Sequence, residues 1–475
     1  MVLSAQSANT VTYQKTAWID KALVVLMVIA LSVQGQVLFS FGGMEFTIGH
    51  ALVGIVGVAS VLRLAVSKIK PVFPSIPVNA LYLTFVLITI VDTPTYGFGS
   101  LILKYVFQYL VLMVTLNLLV LFDAKSSEQL VMIGAWIVLG IVLLNAAMNF
   151  EAFAKYYSNP WDGHPKYPTI FSGGTNLEAS WPVMLGAFCH NNRQGRIYLA
   201  LVFCFAEAVQ SRAGLMLAVC VIAYVVLIKD GFKPTLGKIL GVGFVSVLAI
   251  VLILAGPRAI GAATRNAQLT STQNSETSVS EDANSAEVQN SETSTSEDLS
   301  SSDNEIEDAS SSAPANNTSS AVVMGRKGIW ASSVDAFLGS PLFGYGAGNA
   351  MNAVRSVAHF YYWEDNVHNY PLQILLDFGL VGFLVFAFIT VRFLIINAKH
   401  HFCNPYAAFI ALYLIGGMVQ FRGGELFVGF ALAGVIVFGP VMQRNSKRYS
   451  HIISDSSAAN ILKASKESSV KVPEK

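Results

Sequence analysis

The sequence predicts an all-α polytopic membrane protein of about twelve transmembrane helices with one large extracytoplasmic loop. Three observations predict it. First, 53% of the 475 residues are hydrophobic and only 12% are charged, against about 25% charged in an ordinary soluble chain. Second, apolar runs near the length of a bilayer span recur along the chain. Third, Lys and Arg alternate between the loops that join those runs.

The runs fall at 20–40, 47–66, 76–92, 98–122, 128–150, 177–190, 196–211, 212–229, 237–255, 369–396, 405–420 and 425–443. In lipid each is expected to be a helix, because an exposed backbone there has no water to bond. The runs at 177–190 and 196–211 are short. The first run is long and lacks a small-residue cleavage site, so it reads as a span and not as a cleavable signal peptide. The chain then divides into spans at 1–255, a large loop at 256–368, further spans at 369–443 and a polar tail at 444–475.

Orientation follows the positive-inside rule. With Lys15 and Lys21 in the cytoplasm, the inside loops carry Lys68 and Lys70, Lys125, Arg193 and Arg196, then Lys229, Lys233 and Lys238, then Lys399. The tail adds Arg444, Lys447 and Arg448. Loops beginning near Phe41, Thr93, Glu151, Ser211, Gly256 and Phe421 fall outside and hold fewer cations for their length. Both termini are thus expected in the cytoplasm.

The net charge of +1 says nothing of partners, and the sequence has no basic patch suited to nucleic acid, so no nucleic-acid partner is expected. Cys189, Cys204, Cys220 and Cys403 fall in spans or inner loops, which implies no disulfide framework. No Cys/His spacing suggests a metal site, and no cofactor motif is evident. Between Arg265 and Arg326 there is no Lys or Arg, and Gln273–Asp282 recurs as Gln289–Asp298 with Thr295 in place of Val279. So polar a segment buries too little apolar surface to offset its ordering entropy, and reads as a disordered insert over about 266–320.

The candidate chemistry lies at the outer ends of the spans. Arg212, in Ser211-Arg212-Ala213-Gly214, either pairs with Glu207 or binds an anionic headgroup through its planar fork. Arg326 opens an amphipathic run with Ile329, Trp330, Val334 and Phe337 at helical spacing. Arg422 sits in the turn before the last span, either paired with Glu425 or facing a ligand. His368 is followed by Asn369, and its imidazole can take a proton from a hydroxyl near neutral pH. Phe360, Tyr361, Tyr362 and Trp363 precede it, as interface anchors or as faces for sugar rings. Gly379 and Gly382 would let another helix approach closely. Glu178 opens a span, where it caps the helix or orients a base, and Asp377 is expected to pair with an arginine across the bundle.

Ser211-Arg212-Ala213-Gly214, Arg326 to Trp330, Pro341-Leu342-Phe343-Gly344-Tyr345-Gly346 with Asn349, and His368-Asn369 followed by Gly379 and Gly382 occur in this order. In that order, and over about the second half of the chain, they resemble the O-antigen polymerase/ligase superfamily of membrane glycosyltransferases. The resemblance implies metal-independent, inverting glycosyl transfer at the outer face of the cytoplasmic membrane. The donor would be an undecaprenyl-diphosphate-linked glycan and the acceptor a second glycan or a lipid A core, with membrane lipids, a chain-length regulator and a flippase as further partners. It makes His368 the base and Arg212 and Arg326 the diphosphate ligands. Topology more than motif adds Arg422 as a third cation, with Asn369, Trp363 and Glu178 as further candidates to line the substrate. Polymerase and ligase share these motifs. A protein O-glycosylating relative or a lipid-linked-sugar transporter ranks lower: only a polar tail follows Val441, and the histidine motif occurs once.

Overall fold

Wherever the apolar runs were expected, the computed structural model has helices. It describes residues 18–41, 44–67, 71–99, 101–153, 168–170, 174–229, 235–253, 326–358, 362, 366–400, 402–418, 423 and 425–439. The insert, the tail, Trp363 and Arg422 lie outside the described residues.

Helix α1 (Trp18–Ser32) leads into a two-stranded antiparallel hairpin, β1 (Val37–Phe41) and β2 (Met44–Thr47), paired with Ser40 opposite Glu45. Next come α2 (Ile48–Ser67), α3 (Ile76–Tyr96), α4 (Leu101–Leu119) and α5 (Ala124–Met148). Short α6 (Thr175–Leu185) and α7 (Arg193–Ala208) precede α8 (Arg212–Ala223), which continues as a π turn over Tyr224–Ile228. Then follow α9 (Leu236–Ile253), α10 (Arg326–Gly339), α11 (Ala350–Val357), α12 (Tyr370–Ala398), α13 (Pro405–Gly417) and α14 (Leu426–Gly439).

Among the described residues, α2, α3, α4, α5, α9 and α12 are long and apolar enough to cross a bilayer, while Arg212–Ile228, α13 and α14 are apolar but shorter. The expected first span of 20–40 ends at Ser32. Gly35 causes this: its N–H donates to the Ile170 carbonyl, and a side chain there would strike the Thr169–Ile170 backbone. The chain turns on that contact and pairs as a hairpin, which an all-α expectation did not include.

The bundle core is aromatic. Trp181 of α6 meets Phe409 of α13 edge-on at 5.4 Å and Phe427 of α14 at 4.5 Å. Such packing matters in a membrane protein, because lipid tails offer helices no hydrophobic gain on association. Buried Lys229, at the far end of α8, is held by Glu128 at 3.2 Å and by the Ala187 and Phe188 carbonyls at 3.2 and 2.8 Å. A buried ammonium needs that full set of partners.

Helix α12 is broken at Gly379 (φ 60°, ψ −166°). The break frees backbone groups that apolar surroundings would leave unbonded at a cost of several kcal/mol each. The segment after α10 fills them. Leu380 and Val381 donate to the Pro341 and Leu342 carbonyls at 2.8 and 3.1 Å, and Tyr345 and Gly346 donate to the Leu376 and Asp377 carbonyls, both at 2.9 Å. A side chain on Gly379 would collide with the Leu342–Phe343 backbone, and one on Gly344 (φ 82°) with the backbone between Leu376 and Gly379. The partner that Gly379 admits is therefore this loop and not a second helix, which corrects the expectation from the glycine pair. Gly382 meets Phe378 of its own helix and Ile88 of α3. The same loop docks on α3, where Ala347 donates to Thr89 Oγ1 at 3.3 Å and Asn349 Nδ2 to the Gly97 carbonyl at 3.2 Å.

Gly379→Ala combines a left-handed φ, costing about 1–3 kcal/mol, with a clash against the Leu342 carbonyl. The expected result is a fall of several degrees in the unfolding midpoint in detergent, or loss of the protein from membranes. An unchanged midpoint would refute this account of the break.

Candidate functional site

The segment Asn366-Val367-His368-Asn369 enters α12, and each residue has a backbone task. Asn369 is the N-cap: its Oδ1 accepts the Leu372 N–H at 3.1 Å, and its Nδ2 donates to the Met418 carbonyl at the end of α13 at 3.4 Å. Asn366 Oδ1 accepts the His368 N–H at 2.9 Å. The Val367 carbonyl accepts Trp330 Nε1 at 2.8 Å, and the Val367 N–H donates to Gln373 Oε1 at 3.3 Å. His368 sits between these bonds at φ 54°. Left-handed φ is uncommon outside glycine and persists only where surroundings over-determine it, most often at functional sites. The ring is half-buried, with Nδ1 out of solvent reach.

Arg326 belongs to the same neighbourhood. It is exposed at the start of α10, one turn before Trp330, which separates them by roughly 6 Å along the axis. Because Trp330 holds the residue before His368, α10 brings Arg326 to the histidine's side of the bundle. Tyr345 donates from Oη to the Ala336 carbonyl at 2.6 Å, and burial, with Tyr96 next, raises its hydroxyl above the usual range, so it stays neutral and donating.

Arg212 is the exposed first residue of α8. Ser211 caps that helix: its Oγ accepts the Gly214 N–H at 3.0 Å and donates to Asn176 Oδ1 of α6 at 2.9 Å. Gly214 packs on Ala179, which explains the small residues after the arginine. Gln210, two residues earlier, also has a left-handed φ of 50°. At the other end of α8, Tyr224 Oη donates to the Phe402 carbonyl, just before α13, at 3.0 Å. Helices α8 and α13 are thus antiparallel. The Arg212 end of α8 lies with the Met418 end of α13, to which Asn369 attaches. Arg212, Arg326 and His368 share one end of the bundle.

Residues 197–387 match the protein-family model described as O-Antigen ligase. That match supports the resemblance to the O-antigen polymerase/ligase superfamily. The matched stretch includes Arg212, Arg326, His368, Asn369 and the Gly379 break, and leaves out Glu178 and Arg422. Comparison with curated proteins gives no match.

Several expectations change on the structure. Glu178 is fully buried, and its Oε2 accepts the Ile170 N–H at 2.7 Å. That bond anchors the segment before α6. Asp377 pairs with no arginine among the described residues. It is fully buried, its Oδ1 accepts the N–H groups of Gly348 and Ala350 at 3.0 and 3.3 Å, and its Oδ2 accepts Gln373 Nε2 at 2.8 Å. Those amides open α11, so Asp377 caps that helix from across the fold, where its dipole favours an anion. Glu207 makes no ion pair with Arg212 among the described residues. Glu425 accepts the Tyr413 hydroxyl, and its expected pairing with Arg422 lies outside the described residues.

Sequence reasoning passed over Asn366, Gln373 and Arg355. Arg355 Nε donates to the Tyr362 carbonyl at 3.0 Å, and the Tyr362 hydroxyl meets Ser332 Oγ at 3.3 Å, tying the segment before His368 to α10 and α11. One signal was available: Asn369, Gln373 and Asp377 are spaced four apart, a polar stripe on one face of an apolar helix. Among the described residues no group of His, Cys, Asp or Glu is placed to hold a metal ion.

Trp330→Phe keeps an aromatic ring, though a smaller one, and removes the donor, leaving the Val367 carbonyl without its Trp330 bond at a cost of about 1–3 kcal/mol. Activity should fall at normal membrane abundance. Wild-type activity in this variant would show that α10 does not set the histidine.

Proposed function

We propose that the chain is a glycosyltransferase of the cytoplasmic membrane that polymerises undecaprenyl-diphosphate-linked oligosaccharide units at the outer face. The observation that carries this reading is the clamped, left-handed His368 within the family-matched stretch. The shared location of Arg212 and Arg326 supports it.

In this reading the acceptor hydroxyl attacks the anomeric carbon from the side opposite the diphosphate, and the configuration inverts. His368 takes the hydroxyl proton. The bond from the anomeric carbon to the diphosphate oxygen breaks, and the leaving diphosphate keeps the electron pair. Arg212 and Arg326 balance the charge that develops there, each worth about 3–4 kcal/mol in a comparable preorganised site. The two guanidinium groups answer the need for cations without a metal. Arg422 and Trp363 remain candidates for the substrate-facing rim.

Ligation to a lipid A core is the second reading, favoured by the printed description of the matching family. Polymerisation is preferred because it serves many envelope types, whereas a lipid A core requires one. Purified protein supplied with lipid-linked glycan alone separates the two. A ladder of longer lipid-linked chains supports the polymerase, whereas transfer only on addition of lipid A core supports the ligase.

His368→Ala should abolish product while the protein still accumulates; near-normal glycan chains in cells would remove the histidine from the mechanism. Arg212→Ala and Arg326→Ala should each lower kcat by about 10²–10³, with Lys restoring only part because it lacks the bidentate fork. Chelators should leave the rate unchanged, and dependence on Mg²⁺ or Mn²⁺ would count against the scheme.

A further inference from the structure

We propose that Gln373 and Asp377 are positioning residues for this reaction, forming a polar relay from the Val367 N–H to the start of α11 that sets where the His368 imidazole stands. The inference rests on the reading of His368 as the base.

Both side chains are 3% exposed or less, so neither touches substrate. Their bonds have a fixed polarity. The Val367 N–H can only donate, and Gln373 Oε1 accepts it. Two amides donate to Asp377 Oδ1, and Gln373 Nε2 donates to Oδ2. The amide of Gln373 therefore has one workable orientation, oxygen toward Val367 and nitrogen toward Asp377. Asp377 also holds the N-terminus of α11, whose Arg355 grips the Tyr362 carbonyl in the segment that returns to His368. The relay thus meets the histidine's backbone from two sides. Two buried polar side chains in an apolar helix are costly unless satisfied, and a site held to within an ångström repays them.

The polarity can be reversed without changing size. In Asp377→Asn the new amide nitrogen faces Gln373, which can answer only by flipping and setting its own nitrogen against the Val367 N–H. In Gln373→Glu two carboxylates face each other. In the double variant the glutamate accepts from both neighbours, and every bond is restored with one buried carboxyl group, as in the wild type.

The test uses full-length protein in lipid with undecaprenyl-diphosphate glycan extracted from host membranes. Each single variant should lower kcat about 100-fold at unchanged KM, and the double variant should recover to within about 10-fold of wild type. Wild-type kcat in both single variants overturns the relay. So does a double variant that accumulates and unfolds like wild type yet has the low kcat of the single variants, because the pair would then serve folding alone. His368→Ala run alongside separates the two layers. If it is active, the reading of the base fails. If it is inactive while the single variants match wild type, only the relay fails.

Discussion

The rest of this structure depends on a break in one apolar helix and on what fills it. At Gly379 the backbone of α12 leaves the helical path, and four of its hydrogen bonds are made by residues 341–346. A freed amide or carbonyl at membrane depth is tolerated only where protein supplies a partner. That requirement pins the loop after α10 to the middle of α12. Because α10 precedes the loop and α11 follows it, both are located by the same bonds. A glycine stands on each side of the junction because a side chain on either would strike the opposing backbone.

From that junction the site is assembled outward. The loop delivers the amides of Gly348 and Ala350 to Asp377, and Asp377 orients Gln373, which takes the Val367 N–H. Trp330 arrives on α10 to hold the Val367 carbonyl, with Arg326 one turn behind. His368 is left in a conformation that its own backbone does not favour. Strain of this kind suits a group whose geometry must be ready before substrate arrives. The other end of the bundle is held differently, by a lysine buried among a carboxylate and two carbonyls.

The motif glycines, the capping asparagine and the two arginines were visible in the sequence, yet their partners were not. Gly379 looked like a helix-contact residue because a glycine in an apolar run gives no sign that the helix breaks there. Asp377 looked like half of an ion pair because an intramembrane acid calls for a donor, and backbone amides leave no mark in a sequence. The first strand of the hairpin, Val37–Phe41, was hidden at the end of an apolar run that hydropathy cannot divide. Gln373 was legible in principle through its four-residue spacing from Asn369 and Asp377.

By itself the sequence determined that this chain is a bundle of apolar helices, and which basic and imidazole side chains stand at the helix mouths. Hydropathy and charge are summed locally, so they survive in the linear order. Only the tertiary structure decided which mouths meet, where α12 breaks, and what holds the histidine. Those outcomes depend on backbone hydrogen bonds between segments distant along the chain, such as Ala347 to Thr89 and Asn369 to Met418.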